Sequence, residues 1–425
     1  MPVTVHIPAA LRKFTGGAQV VPLASASLPS LLDDLAARFP NISRCLRKDS
    51  GGLLRFLNIY VNDEDIRPLG DAAYRFRDGD DVRLVPSIAG GAPAEPVWVM
   101  ASAPASSANL GCAFDCAALA VNLRLHAKAS LRPERGFVVD YTGPNVERVP
   151  LDGSNLVAVG IVRFAATRGA EIAGVELKIA SEIPVGVGFG SSAAAIVCGL
   201  FLGAALLGAE PDLEEILALA ADMEGHPDNA AAACRGGLVF AAREEESGKV
   251  LCVRTILPAG LRLLAIVPAT AISTPAARAA LPREYSRTDV IHNMQRASLL
   301  AAICCSGAGR IEQELFCDRL HQPYRASLVP GLAECLAVRH PDLLGVCLSG
   351  SGSAALAFAR GSEEEIGRLL QAPFAALGAA PPVLLLQPEP RGAQMETGCD
   401  AQIALAESEL AAGAATVPEV EPCGS

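Results

Sequence analysis

Ile183-Pro184-Val185-Gly186-Val187-Gly188-Phe189-Gly190-Ser191-Ser192-Ala193-Ala194-Ala195 is the stretch on which the fold turns. Glycines at alternate positions let the backbone approach a ligand closely and adopt positive φ. Two serines follow, then a run suited to an uninterrupted helix. A helix N-terminus offers free N–H groups and the positive end of a dipole to an anion. The serine hydroxyls add ligands for phosphate oxygens or a magnesium ion. The segment lacks the Gly-Lys-Ser/Thr of a Walker loop and the spacing of a dinucleotide fingerprint. A glycine-rich turn alone is weak evidence, because the same residues build ordinary turns.

The run Ala193–Ala209 carries no charged or strongly polar side chain. At about 17 residues it reaches the lower edge of a membrane-spanning helix. Its Ala and Gly content, and the absence of basic flanks and aromatic anchors, favour a buried core helix. The chain has 425 residues, enough for two or three domains, and is 51% hydrophobic. Aromatics make up only 4%, so the cores are expected to be built from Ala, Leu, Val and Ile. The net charge of -11 offers no electrostatic footprint for nucleic acid or an anionic membrane. The 13 cysteines are scattered, with no zinc-ligand spacing. They read as small apolar residues in a reducing, cytoplasmic compartment. The N-terminus shows no secretory signal.

Working outward, residues 1–91 read as a strand at Val3–Ile7, a helix bearing Leu31, Leu32, Leu35 and Phe39 and stopped by Pro40, then strands at Phe56–Val61 and Val82–Val85. That order in under 100 residues suggests a ubiquitin-like β-grasp ending in Gly90-Gly91. Residues 92–96 form an Ala/Pro linker. From Val97 to Glu396 strands and helices alternate, with a soft division near residue 250 separating 97–250 from 251–396. Residues 397–425 carry five acidic and no basic residues and are expected to be mostly disordered, with a short helix at Ile403–Leu410 as an option.

Motifs flanking the glycine loop make a resemblance specific. Pro104-Ala105-Ser106-Ser107-Ala108-Asn109-Leu110-Gly111 with Phe114-Asp115 comes first, and Glu224-Gly225-His226-Pro227-Asp228-Asn229 follows the loop. Thr274 through Arg278 to Leu281-Pro282, Leu320-His321-Gln322-Pro323-Tyr324-Arg325 and Leu348-Ser349-Gly350-Ser351-Gly352 complete the series. In this order over 97–396 they resemble the GHMP kinases, and within them the homoserine kinase family. The resemblance implies an α+β, two-lobed kinase: a ribosomal-protein-S5-like N-terminal lobe, a ferredoxin-like C-terminal lobe, and ligands in the cleft between. It implies ATP and magnesium as cofactors and L-homoserine as substrate. Nucleotide phosphates would lie on Pro184, Gly186, Gly188, Gly190, Ser191 and Ser192, with Ser192 and Glu224 on the metal. Asp115 would take the substrate ammonium, and Arg278 and Arg325 its carboxylate. Asn109, His226, Asp228 and Thr274 would serve the reacting hydroxyl, with no base assigned. His292, His321 and His340 are read as structural or surface residues.

Three departures from the family pattern stand out: Ala113 where glycine is usual, and Ser351 and Ser353-Ala354 in the last motif. An alanine forced to positive φ costs about 1 kcal/mol or more. A degenerate scaffold, or a kinase for another small alcohol, is the alternative reading.

The N-terminal segment resembles the ThiS/MoaD sulfur carriers, closest to the cysteine-biosynthesis branch, through Asn58–Asp65, Asp78–Val82 and Pro86–Gly91. The resemblance implies an adenylating enzyme acting on the Gly90-Gly91 tail. Since Ala92 follows, it also implies either a protease that frees Gly91 or a module retained for docking. A thiocarboxylate beside a phosphorylated homoserine points to a PLP-dependent partner enzyme. The sequence leaves open whether the chain works as a homodimer.

Overall fold

The fold is described from a computed structural model covering residues 3–8, 12, 15–40, 42, 57–62, 64–66, 74–86, 98–270 and 272–397. The Gly90-Gly91 tail, the 92–96 linker and the expected helix at Ile403–Leu410 lie outside these residues.

The N-terminal unit comprises β1 (Val3–His6), β2 (Val20–Leu23), α1 (Leu28–Arg38), β3 (Leu57–Val61), β4 (Glu64–Asp65) and β5 (Asp81–Pro86). The strand order is β2-β1-β5-β3-β4, with β1 parallel to β5 and the other pairs antiparallel. Ser27 and Ser30 form a reciprocal cap on α1. Leu28, Leu31, Leu32 and Leu35 of α1 bury their side chains with Val3, Val5, Ile59, Val82 and Leu84. The β-grasp expectation is met by a parallel pair covered by one amphipathic helix.

Past residue 97, the first lobe contains β6 (Val99–Ala108), β7 (Ala117–Leu131), β8 (Gly136–Thr142), α2 (Leu156–Thr167), β9 (Gly174–Ser181), α3 (Ser191–Leu206), α4 (Leu213–Glu224), α5 (Asp228–Arg235), β10 (Leu238–Arg243) and β11 (Val250–Thr255). The second contains β12 (Arg262–Ile266), α6 (Thr274–Ala279), α7 (Arg287–Ser306), α8 (Gln322–Ala326), α9 (Leu332–Leu336), β13 (Leu343–Leu348), β14 (Ala355–Ala359), α10 (Glu363–Ala375) and β15 (Val383–Leu386), after which β16 (Gln394–Thr397) ends the described chain. The first sheet runs β11-β10-β7-β6-β16, with β9 also on β7 and β8 on β9. The second is an antiparallel β13-β14-β12-β15 sheet.

Two boundaries differ from the sequence expectation. The division near 250 moves past Thr255, because β11 pairs with β10 from Val250↔Arg243 to Thr255↔Leu238. The segment up to 396 was assigned to the second lobe, yet its last strand returns to the first sheet, where Thr397 pairs with Val99. Thr397 therefore belongs to a strand rather than to the acidic tail. Buried Arg124 secures this return through Gly392 O at 3.0 Å and Glu389 at 3.5 Å.

Helix α3 shows how an aromatic-poor core is packed. Twelve of its residues are buried, from Ala193 to Ala204. It crosses α2 so closely that a Cβ on Gly199 would lie 2.2 Å from Val157 O. Backbone contact replaces large side chains, and the expectation of a core helix holds. Among the described residues no helix is long and apolar enough to cross a membrane. The ten described cysteines are all free. Burial pushes the Cys112 and Cys198 thiols up to about 12, which suits inert core residues.

His126 on β7 supplies a test of the core. Burial, reinforced by the Arg124 charge, lowers its pKa from 6.5 to about 4. The folded state thus resists a proton that the unfolded chain accepts below pH 6.5. This contribution is whole above pH 6.5 and is lost as pH falls toward 4. Between pH 7 and 4.5 it should remove about 2–3 kcal/mol of stability. Urea unfolding of His126→Gln should show a correspondingly flatter pH dependence, and an unchanged slope would refute the assignment.

Candidate active site

The expected residues converge on one cavity of about 270 Å³ between the lobes. Asn109, Asp115, Gly186, Gly188, Gly190, Ser191, Ser192, Glu224, His226, Asp228, Thr274, Arg278 and Arg325 all line it. Pro184 is the exception. It lines a second cavity on the other side of the loop, beside Val187 and Phe374. Having no N–H, proline has no backbone donor to offer a phosphate.

The glycine loop is held from both lobes. Ile272 N–H donates to Gly186 O at 3.1 Å, and Ala354 N–H to Val187 O at 2.9 Å. The Ser349 hydroxyl lies 2.8 Å from both Gly188 O and Ser107 Oγ. Gly188 has φ +99°, and a Cβ there would sit 2.0 Å from Ser349 O. Gly190 caps α3 in the left-handed region, packed on Ser106 and Asn229. The first N–H groups of α3 therefore open into the cavity beside the Ser191 and Ser192 side chains.

The Ser192 hydroxyl donates to the Glu224 carboxylate. Burial raises the Glu224 pKa, partly offset by that hydrogen bond. A hydroxyl and a carboxylate in contact at a phosphate-facing helix start form the hard-oxygen set that magnesium accepts. Past the αL cap at Gly225, α4 gives way to His226-Pro227-Asp228 and α5. Asp228 Oδ1 lies 2.5 Å from His226 Nδ1 and accepts from Asn229 N–H at 2.7 Å. Burial disfavours charge on His226. The hydrogen bond that its ring donates to Asp228, with the Asp228, Glu224 and Asp115 charges, outweighs it and raises the His226 pKa. His226 is thus biased toward the imidazolium, which cannot accept a proton.

Asp115 and Arg278 meet as a fork, with Arg278 Nη1 at 3.1 Å and Nη2 at 3.0 Å from the two carboxylate oxygens. The sequence expectation places these two residues at opposite ends of a substrate; in the structure they pair with each other. Asn109 donates to Gly350 O at 2.8 Å and accepts from Asp115 N–H at 2.9 Å. Its amide thereby ties the first motif to the last. Thr274 opens α6, one turn before Arg278, and Ser273 caps the helix. Ala113 is absent from the positive-φ residues, which in this turn are Asn109, Leu110, Gly111 and Asp115. The strain considered for an alanine there does not arise. Ser353 is buried and donates to Pro268 O at 3.3 Å.

At its other end the cavity has walls that sequence reasoning missed: Tyr141, Arg148, Val149, Asn155, Leu156 and Ile179. They give an apolar slot with polar edges, suited to a nucleotide base. Only Asn155, an N-cap residue ahead of the apolar α2, left a local signal.

A cleft between two α/β lobes, a glycine loop feeding a helix, and a carboxylate–guanidinium pocket beside it define a small-molecule kinase of the GHMP class. The family pattern for the GHMP kinases N terminal domain matches residues 155–237, and that of the ThiS family matches residues 5–91. A homoserine kinase of Solibacter usitatus is 37% identical over 298 residues, 70% of this chain and 97% of that protein. One from Moorella thermoacetica is 37% identical over 293 residues, covering 68% of this chain and 97% of that protein. The crystal structure of homoserine kinase from Cytophaga hutchinsonii superposes with a TM-score of 0.63 at 26% identity, over 72% of this chain and 99% of that one. The chain belongs to the homoserine kinase family, with a ThiS-family domain fused ahead of the kinase.

Proposed function

We propose that this chain transfers the γ-phosphoryl group of ATP to the side-chain hydroxyl of L-homoserine, giving O-phospho-L-homoserine and ADP. The observation that carries the reading is one cavity in which the N-terminus of α3 faces the Asp115, Arg278 and Arg325 side chains. Phosphoryl transfer asks for charge neutralisation and alignment more than covalent participation. In this reading the loop amides at Gly188–Ser192 hold the phosphates. Ser192 and Glu224 would hold magnesium, which screens charge on the transferring group when bound. Homoserine's ammonium draws Asp115 away from Arg278, and Arg278 and Arg325 then take its carboxylate. Asp228, fixed by His226 and the Asn229 N–H, orients the hydroxyl. That oxygen forms the new P–O bond as the bond to the β-phosphate breaks, and its proton leaves with the product or solvent. The test is ATP turnover with L-homoserine against a panel of alcohols including mevalonate. No homoserine turnover, or preference for another alcohol, overturns the reading.

Glu224→Gln keeps the shape and the hydrogen bond but removes the charge. The expected result is an about tenfold or larger rise in the magnesium concentration needed for half-maximal rate. An unchanged magnesium dependence would place the metal elsewhere.

For the N-terminal domain we infer a sulfur-carrier role whose tail, Gly90-Gly91, is engaged by an adenylating enzyme after a protease cuts before Ala92. The released thiocarboxylate and phosphohomoserine would both serve a PLP-dependent enzyme. The Ala/Pro composition of 92–96 supports access for a protease. Intact mass of the protein from its native host should reveal a species ending at Gly91; full-length chain alone under sulfur limitation counts against release. Free thiols throughout the kinase body favour a cytoplasmic setting.

A further inference from the structure

Arg325 is a buried cation, 2% exposed, with no ion pair among the described residues. Three of its five N–H groups are already committed. Nε–H donates to Ala277 O at 3.3 Å, and Nη1 donates to Gly350 O at 3.1 Å and to His321 Nδ1 at 3.4 Å. The two hydrogens on Nη2 have no partner among the described residues, and Arg325 lines the cavity.

The contact with His321 fixes that ring's state. His321 is fully buried, and its Nε2 lies 2.8 Å from Gly111 O, an acceptor only. The proton therefore sits on Nε2, and Nδ1 presents a lone pair to the guanidinium. Burial also lowers the His321 pKa, and the Arg325 charge opposes a second proton. Asp318, 3.7 Å from Nε2, is occupied by the backbone N–H groups of Leu320, His321 and Gln322.

Phe114 completes the assembly. Its ring stacks on His321 with centroids 5.0 Å apart and planes 20° apart. The Arg325 Cζ lies 5.1 Å from its centroid and the Arg278 Cζ 5.9 Å. One aromatic ring thus contacts both guanidinium groups and the imidazole that orients one of them. Cation–π contact with a partly desolvated guanidinium restrains its position.

We propose that Phe114 and His321 are positioning residues that hold Arg325 with its free Nη2 edge toward the substrate carboxylate. Neither touches substrate; both act through Arg325, and Phe114 also supports Arg278 once Asp115 releases it. His321, read from sequence as structural or surface, acquires a part in substrate selection. The proposal rests on the homoserine reading above.

The test compares Phe114→Leu and His321→Gln with the parent in steady-state kinetics, in the parent background and in Arg325→Ala. Each single variant should raise KM for homoserine by about 3- to 30-fold, with KM for ATP within about twofold. In the Arg325→Ala background His321→Gln should add less than about twofold, because its target is gone, while Phe114→Leu should keep only the part of its effect that runs through Arg278. Equal shifts in both KM values, an unchanged KM for homoserine, or full multiplication with Arg325→Ala would overturn the proposal. If Phe114→Leu fails to fold, His321→Gln carries the same comparison; collapse of both would assign these residues to core packing and also overturn it. No homoserine turnover by the parent chain sinks the kinase reading itself, whereas an active parent with unmoved variants sinks only this inference.

Discussion

Gly188→Asp should leave a folded protein with no measurable phosphoryl transfer. Two independent causes act together. The backbone at 188 has φ +99°, and any Cβ would lie 2.0 Å from Ser349 O, so the loop must move. That carbonyl belongs to the second lobe's last motif, and its residue also hydrogen-bonds Ser107. A displacement of about 1 Å at a reacting centre already costs on the order of a hundredfold in rate. The aspartate then adds a negative charge where the nucleotide phosphates must lie, and each opposing charge weakens anion binding further. Gly188→Ala isolates the steric part and should lose about a hundredfold or more. Turnover by Gly188→Asp within tenfold of the parent would refute phosphate binding at this loop. Circular dichroism and thermal unfolding establish that the variant is folded.

Arg325→Ala is the second severe lesion. Removing one member of a buried, hydrogen-bonded charge pair costs about 2–5 kcal/mol, or roughly 30- to several thousand-fold in kcat/KM. Before substrate binds, Arg325 has no ion pair among the described residues, so its loss leaves no protein carboxylate stranded. The penalty should therefore appear on homoserine, with KM for ATP little changed. Asp115→Ala should differ. It frees Arg278 from its fork and removes the ammonium's partner, so opposite effects on the two ends of the substrate combine. An Arg325→Ala enzyme with parental KM for homoserine would show that the amino-acid end binds elsewhere.

Much of this site was legible in the sequence because its chemistry is local. Gly186, Gly188, Gly190 and the two serines fall within one turn and the start of one helix, and with the flanking motifs their spacing suggests an anion cradle. The charged pair Asp115 and Arg278 was legible by residue type and motif, but their mutual pairing was not. It spans 163 positions and exists only once α6 docks against the first motif. The Tyr141 wall of the cavity was silent for the same reason. Tyr141, Arg148 and Ile179 come from three separate segments, and nothing in their neighbours marks them. Pro184 lines a different cavity from the glycines that follow it, and nothing in its sequence neighbours marks that difference. The lobe boundary slipped because β10 and β11 form an ordinary hairpin, and strand composition does not reveal which sheet a hairpin joins. Ala113 illustrates the converse: a departure from pattern is costly only if the backbone there requires glycine, and it does not.

The register pair Val99↔Thr397 has a further meaning. The first residue of β6 and the last of β16 form one rung of one ladder, so the catalytic body is nearly a ring. The N-terminal domain is joined to the chain ahead of Val99, the residue that pairs with Thr397. Cutting or exchanging that cargo would break none of the rungs from Val99 onward, and joining the two ends by a short peptide should permit new termini to be opened elsewhere.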